Sequence, residues 1–550
     1  MAWTKYPRPQ LKRELWQSLN GQWTIEGKSV TVPFPPESKL SGLEETMPDK
    51  YTYEKTFQLS EKLRKKNGRI LLHFGAVDQI AKVYINGEKL GSHIGGYLPF
   101  SFDITEHLHR SGENLLTVKV TDTLNNIYPY GKQCKKRGGM WYTPISGIWQ
   151  SVWLEWVPDV YIENVKITPS MKGVDIKISC NDPHVIPAIS IPLENGETLK
   201  ASGANLHIDL SGHRPHLWFP EDPYLYPLFI TCGEDKVESY FALREIGWQE
   251  KKGKKVICLN KEPIFLQGVL DQGYFIDGIY TPCEEEEYER DILRMKELGM
   301  NMLRKHIKIE PDIFYYYCDK LGMLIFQDLV NSGDYSYLRD TVLPAIGLSK
   351  WNDTRSKAPV AQKEFFLEAM EDTFAHLHNH PCIIGYTLFN EGWGQFNSDA
   401  VYHKAKELDS TRLYDSTSGW FAQKENDFDS RHIYFNFQHV PKKPRGPLFM
   451  SEFGGCSFVV EGHTFQSDKN YGYGQKNTQE ELHSAIRAAY DRVIFAAIPK
   501  GCVGYVYTQL SDVEDETNGF YTYDRQVCKV AKNWMKALCE EVTKSFLENL

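Results

Sequence analysis

Short runs in which apolar and polar residues alternate, separated by turn signals, fill the first part of the chain. Arg69-Ile70-Leu71-Leu72-His73-Phe74, Ala81-Lys82-Val83-Tyr84-Ile85-Asn86-Gly87 and Asn114-Leu115-Leu116-Thr117-Val118-Lys119-Val120 are examples. Period-two alternation marks a strand with one buried face. The Asn86-Gly87 pair predicts a tight hairpin turn. This spacing predicts a β-sandwich over residues 1–157. A smaller set of the same kind begins at Pro158-Asp159. It includes Val174-Asp175-Ile176-Lys177-Ile178-Ser179 and Leu206-His207-Ile208-Asp209-Leu210, and closes near Arg244. Its length suits an immunoglobulin-like sandwich over residues 158–247.

From residue 248 the pattern changes. Short apolar runs at 264–268, 300–304, 323–326, 382–389, 412–417, 432–435, 447–451 and 502–507 alternate with helical periodicity. Helices are predicted at 282–298, 311–321, 361–379, 479–498 and 526–538. The first has an acidic opening turn, Glu284 to Glu287, as the helix dipole prefers. The second is closed by Gly322. Eight strand–helix units over 248–550 match a (β/α)8 barrel, also called a TIM barrel.

Two of these strands end in glutamate: Cys382-Ile383-Ile384-Gly385-Tyr386-Thr387-Leu388-Phe389-Asn390-Glu391 and Pro447-Leu448-Phe449-Met450-Ser451-Glu452. They are the fourth and seventh barrel strands, and barrel active sites are built at the C-terminal strand tips. A pair of carboxylates facing one another is what glycosidic-bond hydrolysis requires. The acid must hold a proton near neutral pH, and the nucleophile must stay ionised with the help of nearby donors. Arg304, at the top of strand two, is the candidate donor.

Composition narrows the partners. A net charge of −9 argues against nucleic acid. No segment approaches the ~20 apolar residues that span a membrane. The 11 cysteines have no C-x-x-C pair and fit a reduced, cytoplasmic chain. The N-terminal stretch from Met1 to Pro9 lacks the apolar core of a signal peptide. Aromatic residues make up 13% of the chain, which suits β-rich cores and also stacking on sugar rings.

Leu388-Phe389-Asn390-Glu391-Gly392-Trp393-Gly394 and Ser451-Glu452-Phe453-Gly454 resemble the acid/base and nucleophile motifs of glycoside hydrolase family 2. That family includes β-galactosidases, β-glucuronidases and β-mannosidases. Met140-Trp141-Tyr142-Thr143-Pro144-Ile145-Ser146-Gly147-Ile148-Trp149-Gln150 resembles the end of its N-terminal sugar-binding jelly roll. Leu217-Trp218-Phe219-Pro220-Glu221-Asp222-Pro223-Tyr224-Leu225-Tyr226 resembles its immunoglobulin-like domain. Gln267-Gly268-Val269 and Asn301-Met302-Leu303-Arg304 resemble its first two barrel strands. The resemblance implies Glu391 as general acid/base and Glu452 as nucleophile. It implies Asn390 on the sugar 2-hydroxyl, and Tyr434 and Arg304 as donors to the nucleophile. The chain departs from the pattern at Arg304-Lys305-His306-Ile307-Lys308, where many members have His-Tyr-Pro, and at Tyr507-Thr508-Gln509, where a tryptophan is usual. The uronate-reading Asn-x-Lys motif has no match, and Gly138-Gly139 stands where metal-dependent β-galactosidases carry an aspartate-bearing loop.

Other residues are weighed on chemistry alone. Trp393, Trp420 and Trp141 are candidates for stacking on sugar, with packing under loops as the alternative. Asp328 after strand three is a candidate for binding sugar hydroxyls, and His306 for similar work. His376-x-His378-x-His380 has the look of a metal cluster but lacks a spaced carboxylate, so a structural role is expected. The run Asp512-Val513-Glu514-Asp515-Glu516 is expected to be a solvated loop. The sequence thus predicts a three-domain, exo-acting retaining glycosidase without metal or cofactor. β-Galactoside is the first substrate expected. The other family specificities, an α-L-arabinoside, or a carbohydrate-binding protein without hydrolysis are the alternatives. The expected partner is a carbohydrate, and self-association is left open.

Overall fold

A computed structural model describes residues 3–348, 350–435, 437–466 and 469–550, so Met1 and Ala2 of the N-terminal stretch lie outside it. The first part of the chain forms a galactose-binding-like sandwich. One sheet orders its strands Lys28–Val32, Gly21–Ile25, Lys50–Phe57, Asn114–Thr121, Ile80–Ile85 and Glu88–Ile94. The facing sheet orders Trp16–Ser18, Val152–Val157, Arg69–Phe74 and Phe100–Asp103. Asn86 and Gly87 both take positive φ, 51° and 88°, as the predicted hairpin turn requires. Alternate residues of the two sheets, such as Tyr53, Leu72, Val83, Val118 and Leu154, meet in one buried core.

The second sandwich pairs a three-stranded sheet (Ile162–Pro169, Gly173–Cys180, Asn205–Asp209) with a four-stranded one (Thr198–Ser202, Ala188–Pro192, Tyr226–Cys232, Asp235–Phe241). A buried charge hub ties it to the first. Arg13 reaches Glu155 at 2.7 Å from Nη1 and grips both oxygens of Asp235, while Arg8 and the Tyr6 hydroxyl also bond Glu155.

Where the sequence predicted the barrel to begin, a small antiparallel sheet comes first: Ile246–Lys251, Lys254–Leu259 and Glu262–Pro263. Its Ile257 and Leu259, with Trp218, pack against Leu270, Met302, Phe326, Ile384 and Phe449. These residues fill the barrel floor with apolar side chains, which leaves polar chemistry to the opposite end.

The barrel strands are β1 (Leu266–Asp271), β2 (Met302–Lys305), β3 (Leu324–Asp328), β4 (Ile383–Thr387), β5 (Leu413–Asp415), β6 (Asp429–Ile433), β7 (Leu448–Gly454) and β8 (Cys502–Thr508). Their order is 5-4-3-2-1-8-7-6, with every ladder parallel. Among the described residues no ladder joins β5 to β6; there Asp415 Oδ2 accepts from Ser430 Oγ at 2.6 Å. All eight apolar runs are strands, buried on both faces as a parallel barrel demands.

Helix bounds differ more. The helix expected at 526–538 lies at Lys532–Glu548, because residues 520–529 spend their backbone on turns, such as Lys529 N–H to Phe520 O. The helix expected at 479–498 runs from Gln479 to Ala489 before widening into a π-turn. Ser398–Leu408, between β4 and β5, is a helix the pattern did not disclose.

One feature of the assembly positions the site. The segment 122–146 leaves the first sandwich and lies over the mouth of the barrel. Tyr130 and Gly131 N–H both donate to Asn331 O, and Gly333 N–H donates to Asn126 O. Thr143 N–H donates to Glu514 Oε1 at 2.9 Å.

Candidate active site

Arg304 is the hub. It ends β2 with its guanidinium fully buried, 0% exposed. Nε donates to Asp328 at the end of β3, 2.9 Å to Oδ1. Nη1 donates to the Ser451 carbonyl at 2.9 Å and to Glu452 Oε1 at 3.0 Å. Nη2 donates to Asn390 Oδ1 at 2.9 Å. A planar fork of donors thereby fixes the tips of β3, β4 and β7 at once, which a lysine could not do.

Glu452 sits within β7, 5% exposed. Its second oxygen accepts from the Tyr434 hydroxyl, which stands just beyond β6. Burial beside Glu452 and Tyr473 pushes the Tyr434 phenol well above its usual range, so it stays a donor. Burial alone would raise the Glu452 carboxyl. His432, Arg304 and Lys132 around it outweigh that and hold it down at about 2. Glu452 is therefore an anion at neutral pH.

Glu391 follows β4 on a strained turn. Its φ is 53°, a left-handed conformation that costs a non-glycine residue on the order of 1 kcal/mol. The turn is held by Glu391 N–H to Ser418 O at 3.0 Å and Trp393 N–H to Asn390 O at 3.1 Å. The Glu391 side chain is 16% exposed, more open than Glu452. Among the described residues its side-chain partner is His432, whose Nδ1 lies 2.7 Å from Glu391 Oε1.

His432 is the residue that sequence reasoning missed. Its Nε2 lies 3.5 Å from Glu452 Oε1 and 3.0 Å from Ser418 Oγ, so one imidazole stands between the two carboxylates. Glu391, His432 and Glu452 each offer an atom within 4.8 Å of the others. The same three atoms are the donor set among the described residues that could hold a metal ion. The signal for His432 was present: it lies two residues before Tyr434, so both side chains leave the chain on the same side. Gly419 makes room for it, since a Cβ there would stand 2.7 Å from His432 Nδ1.

The remaining expected residues fall around this centre. Asn390 gives its oxygen to Arg304, which leaves its amide N–H groups for a ligand. Asp328 is wholly engaged: Arg304 takes both oxygens and His306 Nδ1 lies 2.6 Å from Oδ2. It positions its neighbours, whereas the sequence had offered it to sugar hydroxyls. His306 is buried, with Nε2 unpartnered. Burial, then Lys132, pushes its pKa well down, so the ring is neutral with its proton on Nδ1 toward Asp328 and a lone pair on Nε2.

Trp393 is 3% exposed, bonded to Gly333 O and packed edge-on to Tyr130 and Trp141. Trp420 is 8% exposed, with its ring edge-on to His432 at 5.3 Å. Trp141 is half-buried between Trp393 and Tyr335. Trp420 thus lies against His432 at the site, Trp393 packs beneath the neighbouring loops, and Trp141 keeps more open surface.

Two other patterns resolve. The three histidines separate onto three carboxylates: His376 on Asp312, His378 on Asp409, His380 on Asp319. They share no site, as expected. The acidic run 512–516 was expected to be solvated, and here the structure corrects the sequence. Asp512, Glu514, Asp515 and Glu516 are all buried at the barrel mouth. Asp512 is held by Lys529 at 2.5 Å, Glu514 by Thr143, Asp515 by Arg137, and Glu516 by the Tyr142 hydroxyl. A run of acids reads as solvated only while its partners, most of them distant in sequence, are unknown.

Residues 33–145 match the galactose-binding-like domain of glycosyl hydrolase 2, and residues 251–448 match the TIM barrel domain of glycosyl hydrolases family 2. A β-galactosidase of Thermoanaerobacter pseudethanolicus is 27% identical over 60% of this chain and 43% of its own length. A putative β-glucuronidase of Formosa agariphila is 27% identical over 58% of this chain and 37% of its own. The chain thus spans about two fifths of the length of the curated relatives it matches. Among solved structures, a β-glucuronidase of Ruminococcus gnavus superposes with a TM-score of 0.78, covering 97% of this chain and 99% of that one at 19% identity. A β-D-glucuronidase of Dictyoglomus thermophilum gives 0.75, covering 98% of both at 18% identity. With these two domain matches in the order the family has them, the chain belongs to glycoside hydrolase family 2.

Proposed function

We propose that this chain is an exo-acting retaining glycoside hydrolase, with Glu452 as nucleophile and Glu391 as general acid/base. The observation that carries the proposal is the carboxylate pair within 4.8 Å, each member in a different environment. Retention needs carboxyls ~5–5.5 Å apart, whereas inversion leaves ~6.5–9.5 Å for a water. Glu452, held ionised by His432 and Arg304 around it, attacks the anomeric carbon. Glu391, the more open of the two, gives its proton to the leaving oxygen. A glycosyl-enzyme forms, and water activated by Glu391 then releases the sugar. Asn390, oriented by Arg304, donates to the sugar 2-hydroxyl, and His306 Nε2 accepts from a ring hydroxyl. Trp420 bounds the sugar, and no metal or cofactor takes part in these steps.

The names of the relatives divide between β-galactosidase and putative β-glucuronidase. Two solved structures alike over nearly their whole length are β-glucuronidases. A β-glucuronide is therefore the substrate we favour, ahead of the β-galactoside that the sequence first suggested. The same reading divides the chain into domains 1–157, 158–247 and 248–550, which the separate sandwich and barrel cores support. The described residues contain no helix long and apolar enough to cross a membrane. The cytoplasmic setting we propose would keep the 11 unpaired cysteines reduced.

A panel of 4-nitrophenyl glycosides tests the proposal: β-D-glucuronide, β-D-galactoside, β-D-mannoside and α-L-arabinoside. Turnover of one of them, reduced by about 10⁴-fold or more in Glu452→Gln, is expected. Binding of sugar without turnover across the whole panel would make the chain a carbohydrate-binding protein instead.

A further inference from the structure

We infer that Lys132, supplied to the barrel mouth by the N-terminal sandwich, binds the carboxylate of an acidic sugar held against Glu391 and Glu452. The inference deepens the glycosidase reading and rests on it. It names the residue that selects a uronide in a chain whose barrel lacks the Asn-x-Lys motif.

The path of the chain brings the lysine there. Gly131, at φ 68°, lets the loop press onto the barrel beside the end of β2. A Cβ at that position would stand 3.1 Å from Ile307 O and 2.7 Å from the Tyr97 hydroxyl. The Lys132 carbonyl accepts from Tyr142 N–H at 3.1 Å, and its ammonium lies 5.9 Å from the centre of the Tyr142 ring. Tyr142 in turn donates to Glu516, and Ile307 adjoins His306. Lys132 thereby comes close enough to Glu452, His306 and Glu516 for its charge to act on all three.

What sets Lys132 apart is unspent capacity. Arg304, the other cation at this site, already donates to Asp328, Ser451, Glu452 and Asn390. Among the described residues the Lys132 ammonium has no carboxylate within 4.0 Å, and it is only half-buried. Glu516, the nearest acid on the loop side, accepts from Tyr142, Gln509 and Asn518. The structure therefore provides a cation with free donors beside Tyr142, on the loop that lies over the barrel end carrying Glu452. Beside it, the lone pair of His306 Nε2 suits a neutral hydroxyl. A sugar carrying both a ring hydroxyl and a carboxylate satisfies the two together. A charged hydrogen bond of this kind discriminates strongly, because a neutral group in its place leaves the ammonium without a partner.

The test compares 4-nitrophenyl β-D-glucuronide with the β-D-galactoside in wild type, Lys132→Gln and Lys132→Arg. The ratio of kcat/KM, glucuronide over galactoside, should fall about 100-fold in Lys132→Gln and less in Lys132→Arg. An equal loss on both substrates would overturn the inference, since Lys132 would then act only through its charge on Glu452. An unchanged ratio would overturn it as well. Titration calorimetry with free glucuronate and galactose supplies a second readout independent of turnover, and thermal unfolding verifies that each variant folds. Glucuronate binding lost in Lys132→Gln, in a protein that hydrolyses nothing, would uphold Lys132 and defeat the glycosidase reading. Turnover of neutral glycosides alone, with no glucuronate binding, would do the reverse.

Discussion

Nη1 of Arg304 donates to Oε1 of Glu452 at 3.0 Å, while the rest of the same guanidinium holds Asp328, Asn390 and the Ser451 carbonyl. The proposed nucleophile is thus placed by one of the groups that hold it ionised. Arg304→Lys keeps the charge and loses the fork. It is expected to lower kcat by about 10²-fold or more, because Asn390 and Glu452 are no longer set relative to each other. Its acid limb in the pH profile should also move up as Glu452 loses the Nη1–H donor that lies 3.0 Å from Oε1. Kinetics with a fixed aryl glycoside between pH 4 and 8 measures both. An unchanged kcat would show that the hub does not serve the reaction.

Glu391 and His432 should share one signature. Glu391→Gln is expected to hydrolyse aryl glycosides with dinitrophenol leaving groups far better than those with poor ones, because good leaving groups need little protonation. His432, 2.7 Å from Glu391, acts through it, so His432→Gln should show the same leaving-group dependence in weaker form. A loss equal for all leaving groups would place His432 outside the proton transfer.

Glu452 also predicts how stability responds to acid. Its folded value is about 2 against an ordinary 4.5. A depressed carboxyl contributes stability that is complete above the unfolded value and is lost as pH falls through the folded one. Between pH 4.5 and 2 the wild type should therefore lose up to about 3 kcal/mol more than Glu452→Gln. Thermal unfolding across that window checks it; parallel curves would contradict it.

Glu155 predicts a structural cost far from the site. It is 0% exposed and accepts from Arg8, Arg13 and Tyr6. Glu155→Gln leaves half-buried Arg8 without its carboxylate and buried Arg13 with Asp235 alone, and breaking a buried pair typically costs about 3–5 kcal/mol. Denaturant unfolding should show a loss of that size in the transition that includes the two sandwiches. A loss below about 1 kcal/mol would mean that solvent or Asp235 compensates.

The sequence made the barrel legible because its strands are buried on both faces and so stand out as continuous apolar runs, from 264–268 through 502–507. The sandwiches were legible through alternation and the Asn86-Gly87 turn. The sheet at 246–263 was not separated from the barrel, since its strands have no period that distinguishes them from β1. At the site, Glu391, Glu452, Arg304, Asn390 and Tyr434 were readable because each sits at a strand tip in a recognisable motif. His432 was within reach, two residues from Tyr434. Lys132 and Arg137, Tyr142 and Thr143, the partners of Asp515, Glu516 and Glu514, were not. They depend on a loop of one domain meeting another across more than a third of the chain, and no local pattern encodes that meeting.

The central claim is that Glu452 is the atom source of a covalent glycosyl-enzyme. A 2-deoxy-2-fluoro glycosyl fluoride of whichever sugar is turned over slows both steps but leaves the first faster, so the intermediate accumulates. Intact-mass and peptide mapping should find one fluorosugar per chain, bonded to the peptide that carries Glu452 and absent from Glu452→Gln. An adduct on Glu391, or steady turnover with no adduct and release of the inverted anomer, would contradict the account.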